Sequence, residues 1–373
     1  MPLAIPIPST PTTGPVAPSS VPRRIDLVVA GARGQVGACL RRQLARRQTW
    51  LRDREGLDLR VIAAFDTRGL DQDPGGVASE ACLPPRQPGD VTRLLQALRA
   101  RTGTARLFVD CTASEDVADT YPDLLGAGIG VVAANKRANA RSLAHYLRLQ
   151  SLSRDARAPY RYETTVGAAI PVLGTIRDLH LRGERIQSLQ GVLSGSLSHV
   201  LHRIHDGLAF SAAVAEARAL GLTEPDPLED LAARDLSRKL LVLAREAGFP
   251  LEAEQVRVLA LCSPRPGEPL ESALAGADAR WRRRVLHAEA RGCRLVAVAE
   301  ADASGGRIGV KALPADSPLA RLGPGENRVL VRSQWQSSTP LVLGGPGAGA
   351  EVTAAGLLSD IIHAARELAA VAD

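Results

Sequence analysis

Apolar residues fall in two rhythms along this chain. As far as about Pro159 they form short, mostly apolar runs, at residues 25–30, 59–65, 106–110 and 130–134, each ending in a glycine-rich or polar turn. Such runs, about four to eight residues long and bounded by turns, mark strands buried on both faces, as in a parallel sheet. Between them residues 38–50, 117–127 and 142–153 carry helical spacing. Strand and helix in alternation predict a doubly wound α/β domain over 24–158. The alternation then lapses, and 159–343 is predicted as a second, α+β domain. Its signs are a polar turn at 190–198 running into a helix through His205, a proline-bounded acidic turn from Thr223 that opens a helix through Lys239, and an alternating strand at 308–313. A glycine-rich loop at 344–350 and a closing helix at 352–371 are expected to bring segment 344–373 back to the first domain. Seven of the first 22 residues are proline, mixed with Ser and Thr, so 1–23 is predicted to be a disordered leader.

The first apolar run leads into Gly31-Ala32-Arg33-Gly34-Gln35-Val36-Gly37 and then a helix. Strand, glycine turn and helix in that order open a dinucleotide-binding unit, whose helix N-terminal amides face a pyrophosphate. Gly31, Arg33, Gly34, Gln35 and Val36 are the candidate contacts, although Arg33 stands where a second glycine would let the backbone approach the phosphates. The second run ends in Asp66-Thr67-Arg68. Asp66 can accept from the ribose 2′-OH of NAD, and Arg68 can hold the 2′-phosphate of NADP, so the residues leave the coenzyme open. The third and fourth runs end at Cys111-Thr112-Ala113-Ser114 and at Asn135-Lys136, on the carboxyl edge where open parallel sheets bind ligands. Thr112, Ala113, Ser114 and Lys136 are thereby placed against a cofactor, and Gly349 in the late glycine loop offers a further amide. Cys111 is a candidate nucleophile by residue type, but no partner base is visible, and a half-buried structural thiol is the favoured reading.

Composition sharpens one point. Of 46 basic residues only Lys136, Lys239 and Lys311 are lysine. Arginine stays protonated at any working pH, whereas an ammonium can be desolvated and give up its proton. Lys239 follows Asp235 by one helical turn and shares its face, which favours a buried proton donor steered by that carboxylate over a plain surface ion pair. Lys311 lies in the alternating strand and is read as structural.

The net charge of +6 comes from scattered arginines, with no basic run interleaved with stacking aromatics, so nucleic acid is not the expected partner. Arg282-Arg283-Arg284 is read as a solvated helix face. No apolar stretch has the length of a membrane span, and no membrane partner is expected. The five cysteines are odd in number and lack metal-ligand spacing, which fits a reducing cytoplasm. His199, His202 and His205 are spaced so that they drift around a helix instead of converging on one ion.

Taken in order, Val109-Asp110-Cys111-Thr112, Asn135-Lys136-Arg137, Val166-Gly167-Ala168, Ser194-Gly195-Ser196-Leu197-Ser198, Gly221-Leu222-Thr223-Glu224-Pro225-Asp226-Pro227, Asp235 to Lys239 and Gly347-Ala348-Gly349 resemble homoserine dehydrogenase, in the form joined to aspartokinase in bifunctional chains. The resemblance covers roughly residues 23–370. It implies a Rossmann domain followed by a dimerisation and substrate domain, with the closing helix packed on the first. It also implies reversible reduction of L-aspartate 4-semialdehyde to L-homoserine by NADH or NADPH, in a homodimer or homotetramer. Lys239 takes the place of the general acid and Lys136 that of the second, substrate-side lysine, while Glu224 and the catalytic Asp235 correspond to carboxylates that hold the amino acid. Glu224, Asp230, Asp235, Ser194 and Gly195 correspond to substrate contacts. The backbone at Glu163, Val166, Ala168 and Ile170 corresponds to a monovalent cation site for Na⁺ or K⁺. The chain departs from the family pattern at Leu222, Leu228, Ala233, Ala133-Ala134 and His199. Ala233 replaces a glycine, which is a risk only if that position needs φ above zero; a helical position would tolerate it. No length remains for an aspartokinase half, and feedback control through a separate regulatory domain is not expected. Two other readings are aspartate-semialdehyde dehydrogenase, which needs a nucleophilic cysteine, and a catalytically silent homologue that binds the cofactor or a partner in a hetero-oligomer.

Overall fold

The computed structural model describes residues 21–73, 75–77, 91–100, 103–223 and 226–371. Leader residues 1–20, Cys82 and Glu224 lie outside the described residues.

The first half is a Rossmann-type unit: β1 (Arg23–Ala30), α1 (Gln35–Glu55), β2 (Leu57–Asp66), β3 (Gly69–Gln72), α2 (Val91–Ala100), β4 (Ala105–Asp110), α3 (Glu115–Ala118), α4 (Tyr121–Gly126), β5 (Gly130–Ala133), α5 (Leu143–Asp155) and β6 (Tyr160–Arg161). Its sheet runs β3-β2-β1-β4-β5-β6, parallel throughout except for β3, which pairs antiparallel with β2. Ala30 lies opposite Phe65 and Asp110, and Asp110 opposite Ala133, so four strands end level to within a residue. The turns that follow them open on one edge, at the point between β1 and β4 where the winding reverses.

The period of two along β1 divides its side chains between two cores. Ile25, Leu27 and Val29 are fully buried in one with Leu40, Leu357 and Ile361, whereas Val28 and Ala30 are buried in the other with Leu124 and Leu149. Each such side chain contributes about 1.5–3 kcal/mol by leaving water. The expected single helix at 117–127 is two short ones. Pro122 sits in the first turn of α4, where its missing N–H is harmless, and it could not stand inside a continuous helix.

The second half contains α6 (Val172–Leu181), β7 (Ile186–Val192), α7 (Gly195–His205), α8 (Phe210–Ala219), α9 (Pro227–Leu231), α10 (Arg234–Glu246), β8 (Val256–Val258), α11 (Leu270–Glu289), β9 (Cys293–Asp302), β10 (Gly305–Pro314), β11 (Glu326–Ser333), β12 (Leu341–Pro346) and α12 (Ala350–Val371). The sheet order is β12-β11-β7-β9-β10-β8, antiparallel but for β8 against β10. Helices α7, α10 and α11 pack against β9, and Trp281 of α11 stacks on Phe210 of α8. On the expected arginine face of α11, Arg282 and Arg283 are exposed, while Arg284 lies over the Trp281 ring. Lys311 pairs with Glu300 across β10 and β9 at 2.5 Å. The closing helix α12 returns to the first sheet and buries Ala354, Leu357, Ile361 and Ala364 beside β1. No helix among the described residues is long and apolar enough to cross a membrane.

Candidate active site

Three adjoining cavities run from the carboxyl edge of the first sheet into the second domain. One of about 630 Å³ lies over Gly31, Gly34, Asp66 and Thr112. It shares Thr112 and Ala113 with a cavity of about 520 Å³ that reaches Lys136 and Asp235. That in turn shares Asp230 and Asp235 with one of about 820 Å³ lined by Ser194, Gly195 and Lys239.

The first cavity is built by close backbone approach. Gly31 has φ +72°, and a Cβ there would meet the Cys111 carbonyl and Thr112 at 3.0 Å. A Cβ on Gly37 would lie 2.3 Å from the Gly31 carbonyl, so only glycine lets α1 start this close to β1. Gly34 caps α1 with no side-chain bond, and no acidic residue stands in that helix's first turn, which leaves its N-terminal amides suited to an anion. Gln35 is exposed and Val36 half-buried against the core, so neither side chain lines the cavity. The Arg33 guanidinium turns to the carboxyl end of β2, where Nη1 donates to Asp66 Oδ1 at 2.8 Å. Asp71 on β3, a strand the apolar pattern did not reveal, lies 3.7 Å from Arg33 Nη2.

Asp110, fully buried at the end of β4, ties this cavity to the next. Its Oδ1 accepts from the Thr112 amide at 2.7 Å, and its Oδ2 accepts from Tyr121 at 2.6 Å and from Asn135 Nδ2 at 3.0 Å. The Asn135 amide also donates to the Ser114 carbonyl, and its Oδ1 accepts from the Arg137 amide. One carboxylate thereby fixes the Thr112–Ser114 turn and the residues on both sides of Lys136. Sequence reasoning gave neither Asp110 nor Tyr121 a role; an Asp at a buried strand end was the available signal.

Asp235 stands between two lysines. Lys239 Nζ lies 2.8 Å from Oδ2 and also donates to the Leu193 carbonyl at 2.8 Å, while Lys136 Nζ is 3.6 Å from Oδ1. The side chain of Lys239 is 14% exposed and that of Asp235 52%, so the donor is enclosed and the carboxylate opens to the cavities. Burial lowers the Lys136 ammonium below the ordinary lysine value; Asp235 opposes this and Lys239 adds to it. Desolvation raises the Asp235 carboxyl, but Lys239 and Lys136 outweigh it and hold it at about 2. Ser194 caps α7 and meets Ser196, which donates to Asp230 at 2.7 Å. His202, Arg294 and Asn327 also line it; the sequence singles out His202 only to set it aside as a metal ligand, and shows no sign of Arg294 or Asn327.

Gly347 and Ala348 line the same cavity, whereas Gly349 stands behind them with φ +121°. Arg68 lines the ribose end, and its amide donates to Asp66. Burial and the neighbouring Asp110 push the Cys111 thiol up, which removes the thiolate a nucleophile needs. The imidazoles diverge: His199 meets Glu216, and His205 lies between Glu289 and the Leu295 amide. At the cation positions, Glu163 uses its carboxylate on the Leu173 and Gly174 amides. Val166 and Ala168 are buried, and Gly167 and Ala168 both have positive φ. Among the described residues no N–H donates to the carbonyls of Val166 or Ala168, which suits a site of backbone oxygens.

The family profile for homoserine dehydrogenase matches residues 171–362, and the one for its NAD-binding domain matches residues 33–163. This chain belongs to the homoserine dehydrogenase family. It is 35% identical over 349 residues to the chloroplastic bifunctional aspartokinase/homoserine dehydrogenase 1 of Zea mays, covering 90% of this chain and 38% of that one. Against bifunctional aspartokinase/homoserine dehydrogenase 2 of Escherichia coli K12 it is 35% identical, covering 93% and 44%. The chain thus spans about two fifths of the length of these relatives. Among solved structures, a Candida auris protein of unknown function superposes with a TM-score of 0.83 at 29% identity, covering 92% of this chain and 99% of that one. A mutant hyperthermophilic archaeal homoserine dehydrogenase in complex with NADPH gives 0.71 at 25% identity, covering 91% and 97%.

Against the homoserine dehydrogenase pattern, Ala233 proves costly. It is not helical: it precedes α10 with φ +55° and ψ +33°, in the left-handed region where a Cβ costs about 1–2 kcal/mol. That strain sits directly before the helix carrying Asp235 and Lys239.

Proposed function

We propose that this chain reversibly reduces L-aspartate 4-semialdehyde to L-homoserine with a nicotinamide coenzyme. The observation that carries the reading is the Lys136–Asp235–Lys239 cluster where the coenzyme cleft meets the second domain's cavity, in a chain of this family. Bound along Gly31, Gly34, Thr112 and Ser114, the coenzyme would supply hydride to the aldehyde carbon or take it from the alcohol. Its pyrophosphate would lie on the amides of Gln35 and Val36.

The chain's own part is to hold the substrate and move one proton. An ammonium has three N–H bonds. Lys239 uses two, on Leu193 and Asp235, which leaves one to donate to the aldehyde oxygen as it becomes an alkoxide. Asp235 orients that donor and offers its open side to the substrate ammonium, with Asp230, Ser194, Gly195 and Glu224 as further contacts. Lys136 places a second positive charge beside the reacting oxygen, which favours release of the Lys239 proton in the forward direction. Na⁺ or K⁺ on the carbonyls of Val166 and Ala168, with Glu163 and Ile170 beside them, would brace the junction of α6 and α12. Cytoplasmic residence, from the scattered unpaired cysteines, and a homodimer or homotetramer, on family grounds, complete the reading. Coenzyme oxidation on addition of the semialdehyde, lost in Lys239→Arg, tests it; coenzyme binding without turnover would point to a silent homologue.

A further inference from the structure

The ribose end of the coenzyme cleft is richer in carboxylates than the sequence suggested. Asp66 and Asp71 meet Arg33 there, and Asp66, Arg33, Arg68 and, on α3, Asp116 line the cavity wall. Arg33 is only 11% exposed, and its fork is engaged: Nη1 donates to Asp66 Oδ1 and to the Gly69 carbonyl, and Nη2 faces Asp71. The Arg68 amide donates to the same Asp66 Oδ1 at 2.8 Å. Asp66 is therefore held from one side through one oxygen, and among the described residues its Oδ2 accepts no hydrogen bond. A carboxylate oxygen fixed in this way suits a hydroxyl donor.

We propose that the Arg33–Asp66–Asp71 cluster makes this enzyme select NAD over NADP, with Asp66 Oδ2 accepting from the adenosine ribose 2′-OH. The proposal rests on the coenzyme-dependent reading above. A 2′-phosphate is close to a dianion and needs excess positive charge with unspent donors. Here Arg33 would have to leave two carboxylates to grip it, and Asp66 and Asp116 would face it at the same wall. Arg68, exposed at the rim, is one guanidinium beside the Asp66 and Asp71 carboxylates that Arg33 already engages. Asp66 thus acts as the specificity-determining contact, and Arg33 as the positioning residue that fixes its orientation.

Nicotinamide fluorescence titrations of the full chain with NADH and with NADPH, run beside kcat/KM for each coenzyme, test the selection. NADH is expected to bind about 10- to 100-fold more tightly, the range of one hydrogen bond to a charged group. Asp66→Asn should weaken NADH, release Arg33 toward the phosphate and shift the preference at least about tenfold toward NADPH. Asp71→Asn should strengthen NADPH alone, because it frees Arg33 without touching the hydroxyl's acceptor. Equal or tighter binding of NADPH by the unaltered chain, or an unmoved ratio in Asp66→Asn, overturns the proposal. The expected binding ratio without turnover upholds the selection and overturns the assigned reaction instead.

Discussion

The two ends of the cleft both hold an aspartate against cations, yet they use different cations. At the ribose end Asp66 meets Arg33, a planar fork that also reaches the Gly69 carbonyl and Asp71. At the reaction end Asp235 meets Lys239 and Lys136. In a chain with only three lysines among 46 basic residues, that contrast separates holding from proton transfer on the function proposed above. A guanidinium fixes a neighbour and keeps its charge, whereas an ammonium can be desolvated and can donate its proton. Burial lowers Lys136 in that direction, and the pair of lysines holds Asp235 ionised down to about pH 2.

The contrast predicts which exchanges each end tolerates. Lys239→Arg keeps the charge and loses the donor, so kcat should fall by about 10² to 10⁴, nearly as far as in Lys239→Ala. Asp110→Asn puts an NH₂ group among the three donors that Asp110 now accepts, and so loosens the Thr112 turn and Asn135 together. A loss of about 10- to 100-fold in kcat/KM is expected, with the coenzyme KM rising as well, and Tyr121→Phe should reproduce a smaller part of it. A merely structural defect would leave the coenzyme KM unchanged. At the opposite end Arg33→Lys should be mild: the fork is lost but the charge remains, so the coenzyme KM rises about three- to tenfold while kcat holds. The smallest effect is on stability. Ala233→Gly relieves the left-handed strain before α10 at some cost in chain entropy, a net gain of up to about 1 kcal/mol in denaturant titration with kcat unaltered.

How much of this the sequence disclosed follows from how local each feature is. The first sheet was legible because β1, β2, β4 and β5 are predominantly apolar runs whose polar ends lie level in the fold. β3 was not: its four residues, Gly69–Gln72, become a strand only by pairing back on β2, and with it went Asp71 and the true setting of Arg33. The order of the second sheet was equally hidden, since β7 lies between β9 and β11, strands far along the chain. Lysine scarcity pointed to Lys136 and Lys239, and the helical spacing placed Asp235 beside Lys239. That Lys136 would reach the same carboxylate depends on packing between the two halves, which the family resemblance supplied and the residues alone did not. Ala233 stayed open between a strained and a helical position because a helix on paper does not say where its first turn begins, and the left-handed residue falls one place before it.

The division of labour is tested most directly by the initial rate of reduced-nicotinamide consumption with L-aspartate 4-semialdehyde, for the unaltered chain and for Lys239→Arg at matched coenzyme saturation. Turnover that drops by about 10² to 10⁴ in the variant, with coenzyme binding retained, is the expected result. Near-normal turnover in Lys239→Arg would contradict the account, because a permanently charged guanidinium would then be doing the work assigned to a proton donor.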